Sequence, residues 1–245
     1  MPALPTLTLY RMNGSCTLAT HLLLQELSIP FTSVIMTFSP TDGKVASADG
    51  SISAEEYART VHPNGLVPAL KITDPTTGET TILTENLAIL SYLAELVPER
   101  RDSLVGKTPL ERATILSWLS FLTGSIHGQG YSPFWRPGRF INEEKYPGAK
   151  DGVVEGAKEK IVKYYAQIEG RLTGDEKTWA VRSESPTGVD FYLYVFWAWG
   201  METGSDMIKG YPKWTALVKR LEQRKGTGEV MKDEGLKLML EGQKL

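Results

Sequence analysis

One cysteine, three histidines and no apolar run long enough to cross a bilayer occur among the 245 residues of this chain. A single thiol, Cys16, permits no internal disulfide, which suits a reducing compartment and points to the cytoplasm. His21, His62 and His127 are widely separated and have no cysteine cluster beside them, so no metal-ligand spacing is present. The densest apolar stretch, FYLYVFWAWG at 191–200, falls well short of the roughly 20 residues a membrane span needs and predicts a buried core helix. The first residues, MPALPTLTLY, lack the basic and long apolar segments of a signal peptide. Neither sign of charge is in marked excess: the formal net charge is -2, which gives no reason to expect nucleic acid or an anionic membrane as partner. What remains is a globular composition, 41% hydrophobic and 23% charged, long enough for one large domain or two ordinary ones.

The first hundred residues mix strands with helices. Leu7 and Leu9 alternate with Thr6 and Thr8, which predicts a half-buried strand ending near Tyr10. Leu18, Leu22, Leu23 and Leu27 follow at helical spacing, with Ser15 as the expected N-cap. PFTSVIMTF at 30–38 is β-branched and aromatic enough for a second strand. SPTDGKVASADGSIS at 39–53 predicts a mobile loop without a core of its own. A short helix at 54–60 leads to the strands VPALKI and TTIL, joined through a DPTTG turn, and an amphipathic helix at 85–97 follows. The order is β-α-β-α-β-β-α.

The polar segment PERRDSLVGK is the expected connector, giving units at 1–98 and 108–245 with a linker at 99–107. Beyond it no strand pattern occurs. Thr108 and Glu111 form a capping box, with Pro109 at the first helical position. That helix runs through Leu116, Trp118, Leu119 and Phe121 to about Gly124 or His127. Val153, Val154, Ala157, Ile161, Tyr164, Tyr165 and Ile168 mark another helix, and Thr187 with Asp190 caps the aromatic one. A last pair covers 214–221 and about 229–240. The second half is therefore all-helical.

Three short stretches carry chemistry. HPNGLVPAL at 62–70 places Pro68 ahead of a strand, either as an ordinary trans proline or as part of a ligand site. TENLAILSYLAE at 84–95 starts a helix at Glu85 and Asn86, either as a simple helix start or as free amides and a positive dipole end facing a carboxylate. NGSCTL at 13–18 sets Ser15 and Cys16 where a polar turn becomes a helix. A thiol there has its thiolate favoured by the dipole, so Cys16 reads as a reactive group or as a small buried hydrophobe.

Taken in order and followed by a helical half, HPNGLVPAL and TENLAILSYLAE resemble the core of the cytosolic glutathione transferases, and the resemblance covers essentially the whole chain. It implies an α+β thioredoxin-like N-terminal domain followed by an all-α helical-bundle C-terminal domain. It also implies a cis Val67–Pro68 bond that turns the Val67 backbone to pair with the cysteinyl part of glutathione. Glu85 and Asn86 would hold the γ-glutamyl end, although the family's usual second residue is serine. NGSCTL is similar to the bacterial beta-class pattern Gly-x-Cys-Ser/Thr-Leu and in part to the zeta-class Ser-Ser-Cys-Ser. WLSFLTGSIHGQGYSPFWRP at 118–137 favours the beta class and places His127 near the glutathione, with Gly128 where that class commonly has lysine.

The resemblance makes Ser15 and Cys16 the candidate catalytic pair, Ser15 as a hydrogen-bond donor to the glutathione thiolate or Cys16 as a thiol that forms a mixed disulfide. Asn13 could also reach the glutathione, whereas His21 among leucines reads as a satisfied packing residue. Tyr131, Phe134 and Trp135 form an aromatic group in the loop after the long helix, either a core or interface patch or a wall for an apolar co-substrate. The implied activity is conjugation of glutathione, as co-substrate, to an electrophilic small molecule, apolar or aromatic, in detoxification or secondary metabolism. The alternatives are glutathione-dependent isomerisation, disulfide exchange through Cys16, and non-catalytic binding. The family resemblance further implies a homodimer.

Overall fold

The computed structural model describes residues 4–39, 43–175, 177–181 and 183–241. β1 (Thr6–Arg11) leads through the 13–17 turn into α1 (Leu18–Glu26), β2 (Thr32–Phe38), β3 (Val45–Ser47) and α2 (Ala54–Thr60). β4 (Ala69–Thr73), β5 (Thr80–Thr84) and α3 (Asn86–Glu95) follow. The five strands lie in the order β3-β2-β1-β4-β5, with β1 parallel to β2 and every other pairing antiparallel. The alternation in β1 works as expected. Leu7 and Leu9 enter the main core beneath α1 and α3, while Tyr10 faces a smaller core with Met36, Val45, Tyr57 and Ala69.

Val45 corrects the expectation for 39–53. The segment, whose residues 40–42 lie outside the described ones, pairs Val45 to Ser47 with β2 and buries Val45 in the smaller core. The connector also differs from expectation: it contains a short helix, α4 (Arg101–Val105), that buries Leu104. The DPTTG turn behaves as read, because the Asp74 carboxylate accepts the Thr76 and Thr77 amides at 2.8 Å each.

α5 (Pro109–Ser120) opens with the capping box of Thr108 and Glu111. It does not stop at Gly124 or His127. A wider, π-helical stretch from Phe121 to Tyr131 and a final turn, α6 (Ser132–Trp135), carry it on. Glycine makes this continuation possible, since a Cβ on Gly130 would lie 2.9 Å from Ile161 of the neighbouring helix. That neighbour is α7 (Ala149–Arg171), followed by α8 (Gly188–Glu202), α9 (Met207–Gly210), α10 (Pro212–Glu222) and α11 (Lys225–Asp233). α11 starts earlier than expected and ends at Asp233, ahead of Gly235 at φ 70°. The capping box of Thr187 and Asp190 starts α8, which is buried along nearly its whole length and packs on α1. No helix among the described residues is long and apolar enough to cross a membrane.

Candidate functional site

The turn at 13–17 is built from both ends of the chain. Gly14, at φ 69°, donates its amide to Glu234 Oε2 at 2.8 Å and its carbonyl accepts Trp199 Nε1–H at 2.9 Å. Glu234 is buried, takes His21 Nδ1 at 2.8 Å and lies 3.4 Å from an Arg11 guanidinium nitrogen. Arg11 also donates to Asp233, Ser33 and Asn13. Asn13 therefore braces the turn, donating in addition to the Glu234 carbonyl, and does not face the site as a free amide. His21 is the satisfied buried residue that its leucine-rich surroundings predict.

Ser15 is not the cap of α1, which begins three residues later. Its hydroxyl oxygen accepts the Thr17 amide at 3.2 Å and lies 2.9 Å from Thr17 Oγ1. Thr17 gives its own hydroxyl proton to the Met12 carbonyl, so the Ser15 proton points to Thr17. Cys16 is buried, and its thiol donates to the Val67 carbonyl at 3.6 Å. Burial pushes that thiol up to about 12, far above the usual range and against the expectation of a thiolate favoured by the helix start. Its nearest charges include the Glu85 carboxylate, which raises it further, and the Arg136 guanidinium, which opposes this.

Val67–Pro68 is cis, and the loop before it is fixed by Gly65 at φ 58° and by the Tyr57 hydroxyl, which donates to the Leu66 carbonyl at 2.7 Å. Glu85 stands at the start of α3 with φ 71° and ψ 120°, a conformation that a residue with a side chain rarely adopts. Its carboxylate is exposed and makes no capping bond. The first amides of α3 have no acceptor within the helix, so the positive dipole end of the helix stands at Glu85. Asn86 does something else. It is buried, accepts the Thr20 hydroxyl at 2.8 Å and donates to the Cys16 carbonyl at 2.8 Å. The side chain expected to touch a ligand instead ties α3 to the thiol turn.

On the helical side, His127 meets the Tyr192 hydroxyl at 3.3 Å and packs against the rings of Phe196 and Trp199. Burial, then the positive Arg136, lowers its pKa to about 4, so the imidazole is neutral near pH 7. Among the described residues no group of three or more His, Cys, Asp or Glu is arranged to hold a metal ion.

Residues 14–96 match the family model Glutathione S-transferase, N-terminal domain, and residues 132–225 match Glutathione S-transferase, C-terminal domain. A solved beta-class glutathione S-transferase of Sphingomonas chungbukensis is 30% identical over 94% of this chain and 100% of its own, with a TM-score of 0.71. This chain belongs to the glutathione S-transferase family. Among its other relatives, glutathione S-transferase GstA of Escherichia coli O157:H7 is 28% identical over 94% of this chain and 99% of its own. A sphingomonad glutathione S-transferase solved in complex with glutathione is 29% identical, with the same coverage as the first structure and a TM-score of 0.71.

Ser15, Cys16, Val67, Pro68, Glu85 and Asn86 come together, and His127, on the helical side, shares the neighbouring Arg136 charge with Cys16. Tyr131, Phe134 and Trp135 lie on the continued helix, not in a loop. They part company there: Tyr131 is fully buried and hydrogen-bonded to Tyr165, whereas Trp135 is 44% exposed and Phe134 is half-buried. Trp199, Tyr192, Glu234 and Arg136 were not singled out by sequence reasoning. The spacing of Tyr192, Phe196 and Trp199 on one face of α8 was a readable signal of an aromatic wall. For Glu234, more than 200 residues from its partners, no local signal exists.

Proposed function

We propose that the protein is a glutathione transferase that conjugates glutathione to an electrophilic small molecule. The observation that carries this reading is the meeting of the Ser15–Cys16 turn, the cis Val67–Pro68 bend and the Glu85 start of α3. The glutathione complex of the sphingomonad relative supports it. In this reading the Val67 backbone pairs with the cysteinyl part, while Glu85 and the free amides of α3, including that of Asn86, take the γ-glutamyl end. The half-buried Ser15 hydroxyl swings from Thr17 to donate to the sulfur, favouring the thiolate. The thiolate then attacks the electrophilic carbon, and the leaving group departs with its bonding electron pair. Neutral His127 lines the opening, and Phe134 and Trp135 form the wall for the second reactant.

Cys16 takes no covalent part. Its burial and raised pKa favour conjugation over disulfide exchange through this thiol. The units 1–98 and 108–245 correspond to the glutathione side and the co-substrate side, and the single buried thiol suits the cytoplasm. The protein acts as a homodimer. An apolar groove between α3 and α5, beside the exposed Leu116, suits a second copy. The test is calorimetry with glutathione followed by turnover with a halonitrobenzene. Binding and formation of the conjugate are expected; absence of binding, or binding without any conjugate, contradicts the proposal.

A further inference from the structure

A hydroxyl that the proposed reaction does not use lies where the two halves of the chain meet. Tyr192, on α8, is fully buried, and its Oη lies 3.3 Å from His127 Nδ1. Burial pushes its phenol well above the ordinary range, and the nearby Cys16 and Glu85 charges add to this, so the hydroxyl keeps its proton. The Asn86 side chain acts the other way, as a donor to the tyrosine oxygen does. Tyr192 thus joins the start of α3 to an imidazole of the helical side.

The direction of each proton on this line follows. Thr20 gives its hydroxyl proton to Asn86 Oδ1 at 2.8 Å, and Asn86 Nδ2 faces the Cys16 carbonyl at 2.8 Å. An amide nitrogen carries two protons; one goes to Cys16 and leaves the other for Tyr192 Oη. Tyr192 then has its own proton to give to His127 Nδ1. A neutral imidazole that accepts at one nitrogen carries its proton on the other. Nε2 has no partner among the described residues. The ring packs against Trp199, whose own ring lies 4.5 Å from that of the exposed Trp135.

We infer that Tyr192 is a positioning residue of the reaction, holding His127 as the Nε2–H tautomer so that this N–H hydrogen-bonds the negative charge that develops on the electrophile. The inference rests on the transferase reading above, in which His127 lines the opening. As the sulfur attacks, charge passes into the electrophile, onto the nitro oxygens of a halonitrobenzene. A donor that grips this charge more strongly than the neutral reactant lowers the barrier. The opposite tautomer would turn a lone pair toward the same charge. Burial and then the positive Arg136 disfavour a second proton on the ring, so the tautomer itself has to supply the donor.

The experiment reads the tautomer by nitrogen-15 NMR of the full-length enzyme labelled in its three histidines, His127 being the signal set missing from His127→Gln. The wild type should show a protonated Nε2 and a bare Nδ1 near pH 7. A proton on Nδ1 overturns the inference, and this arm needs no tyrosine variant. Tyr192→Phe keeps the ring and drops only the hydroxyl. In it the Nδ1–H form should grow, and kcat with a halonitrobenzene should fall about three- to tenfold, the worth of one hydrogen bond. The KM for glutathione should hold within about twofold. An unchanged tautomer or an unchanged kcat overturns the inference. So does a rise in the glutathione KM that accounts for the loss, since the hydroxyl would then serve the glutathione side alone. In the His127→Gln background, Tyr192→Phe should cost less than about twofold more, because its effect passes through the imidazole; additive losses overturn the inference. Absence of turnover in the wild type would contradict the transferase reading alone, and the tautomer would still decide whether Tyr192 sets His127.

Discussion

Two helix starts face each other across this site and are used in opposite ways. At α1 the chain closes itself: Cys16 is buried, its carbonyl is held by Asn86, and Gly14 is held by Glu234 and Trp199. At α3 the chain stays open, with an exposed Glu85 in a strained backbone conformation and amides that have no acceptor within the helix. A positive helix end favours an anion in both places, yet only the solvent-facing one can receive it. At α1 the cost of burying a thiolate outweighs the attraction of the dipole, and the thiol is pushed up to about 12.

The largest effect is expected where the closed start depends on the far end of the chain. Glu234→Ala leaves Arg11 buried without one of its partners and frees the Gly14 amide. It should cost about 3–5 kcal/mol of stability by denaturant unfolding, as for other broken buried ion networks. A loss below about 1 kcal/mol would mean that the turn is held without this clamp.

His127 tests the helical wall of the same mouth. Its pKa is depressed in the fold, to about 4 from an ordinary 6.5, so the unfolded chain takes up the proton first as pH falls. Its contribution is present above pH 6.5 and should be lost between 6.5 and 4, a drop of roughly 2–3 kcal/mol. His127→Gln should flatten that part of the difference in stability-versus-pH curves. Parallel curves for the two proteins would remove the neutral imidazole from the account.

At the open start, Glu85→Ala should weaken glutathione binding by about 1.5–3 kcal/mol in calorimetry. Glu85→Gly sharpens the contrast, because glycine adopts φ 71° without strain. It should raise the stability of the free protein by about 1 kcal/mol while weakening glutathione as the alanine variant does. Unchanged affinity in both variants would break the comparison between the two helix starts.

Local signals made much of this legible. The two capping boxes, the DPTTG turn and the alternation in β1 each rest on neighbouring residues, and the paired HPNGLVPAL and TENLAI stretches led to the family. What was not legible depends on tertiary contact. β3 is three residues long and owes its strand to β2. The helix read as ending at about Gly124 or His127, but the chain stays helical through Gly130, which packs closely on Ile161. Asn86 looked like a ligand contact because its position matched a pattern, while its direction is set by Thr20 and Cys16 in another helix start. Arg136 passed as part of a motif, since nothing local says that its guanidinium stacks over the Phe38 ring.

The smallest effect tests the central claim most directly. Ultraviolet absorbance of the bound glutathione thiolate is titrated against pH in the wild type, Ser15→Ala and Cys16→Ala. The midpoint should rise in Ser15→Ala by about one unit, the worth of one hydrogen bond to the anion, and stay within about 0.3 of a unit in Cys16→Ala. A midpoint that rises in Cys16→Ala and stays fixed in Ser15→Ala would contradict the account, placing the buried thiol rather than the serine hydroxyl against the reacting sulfur.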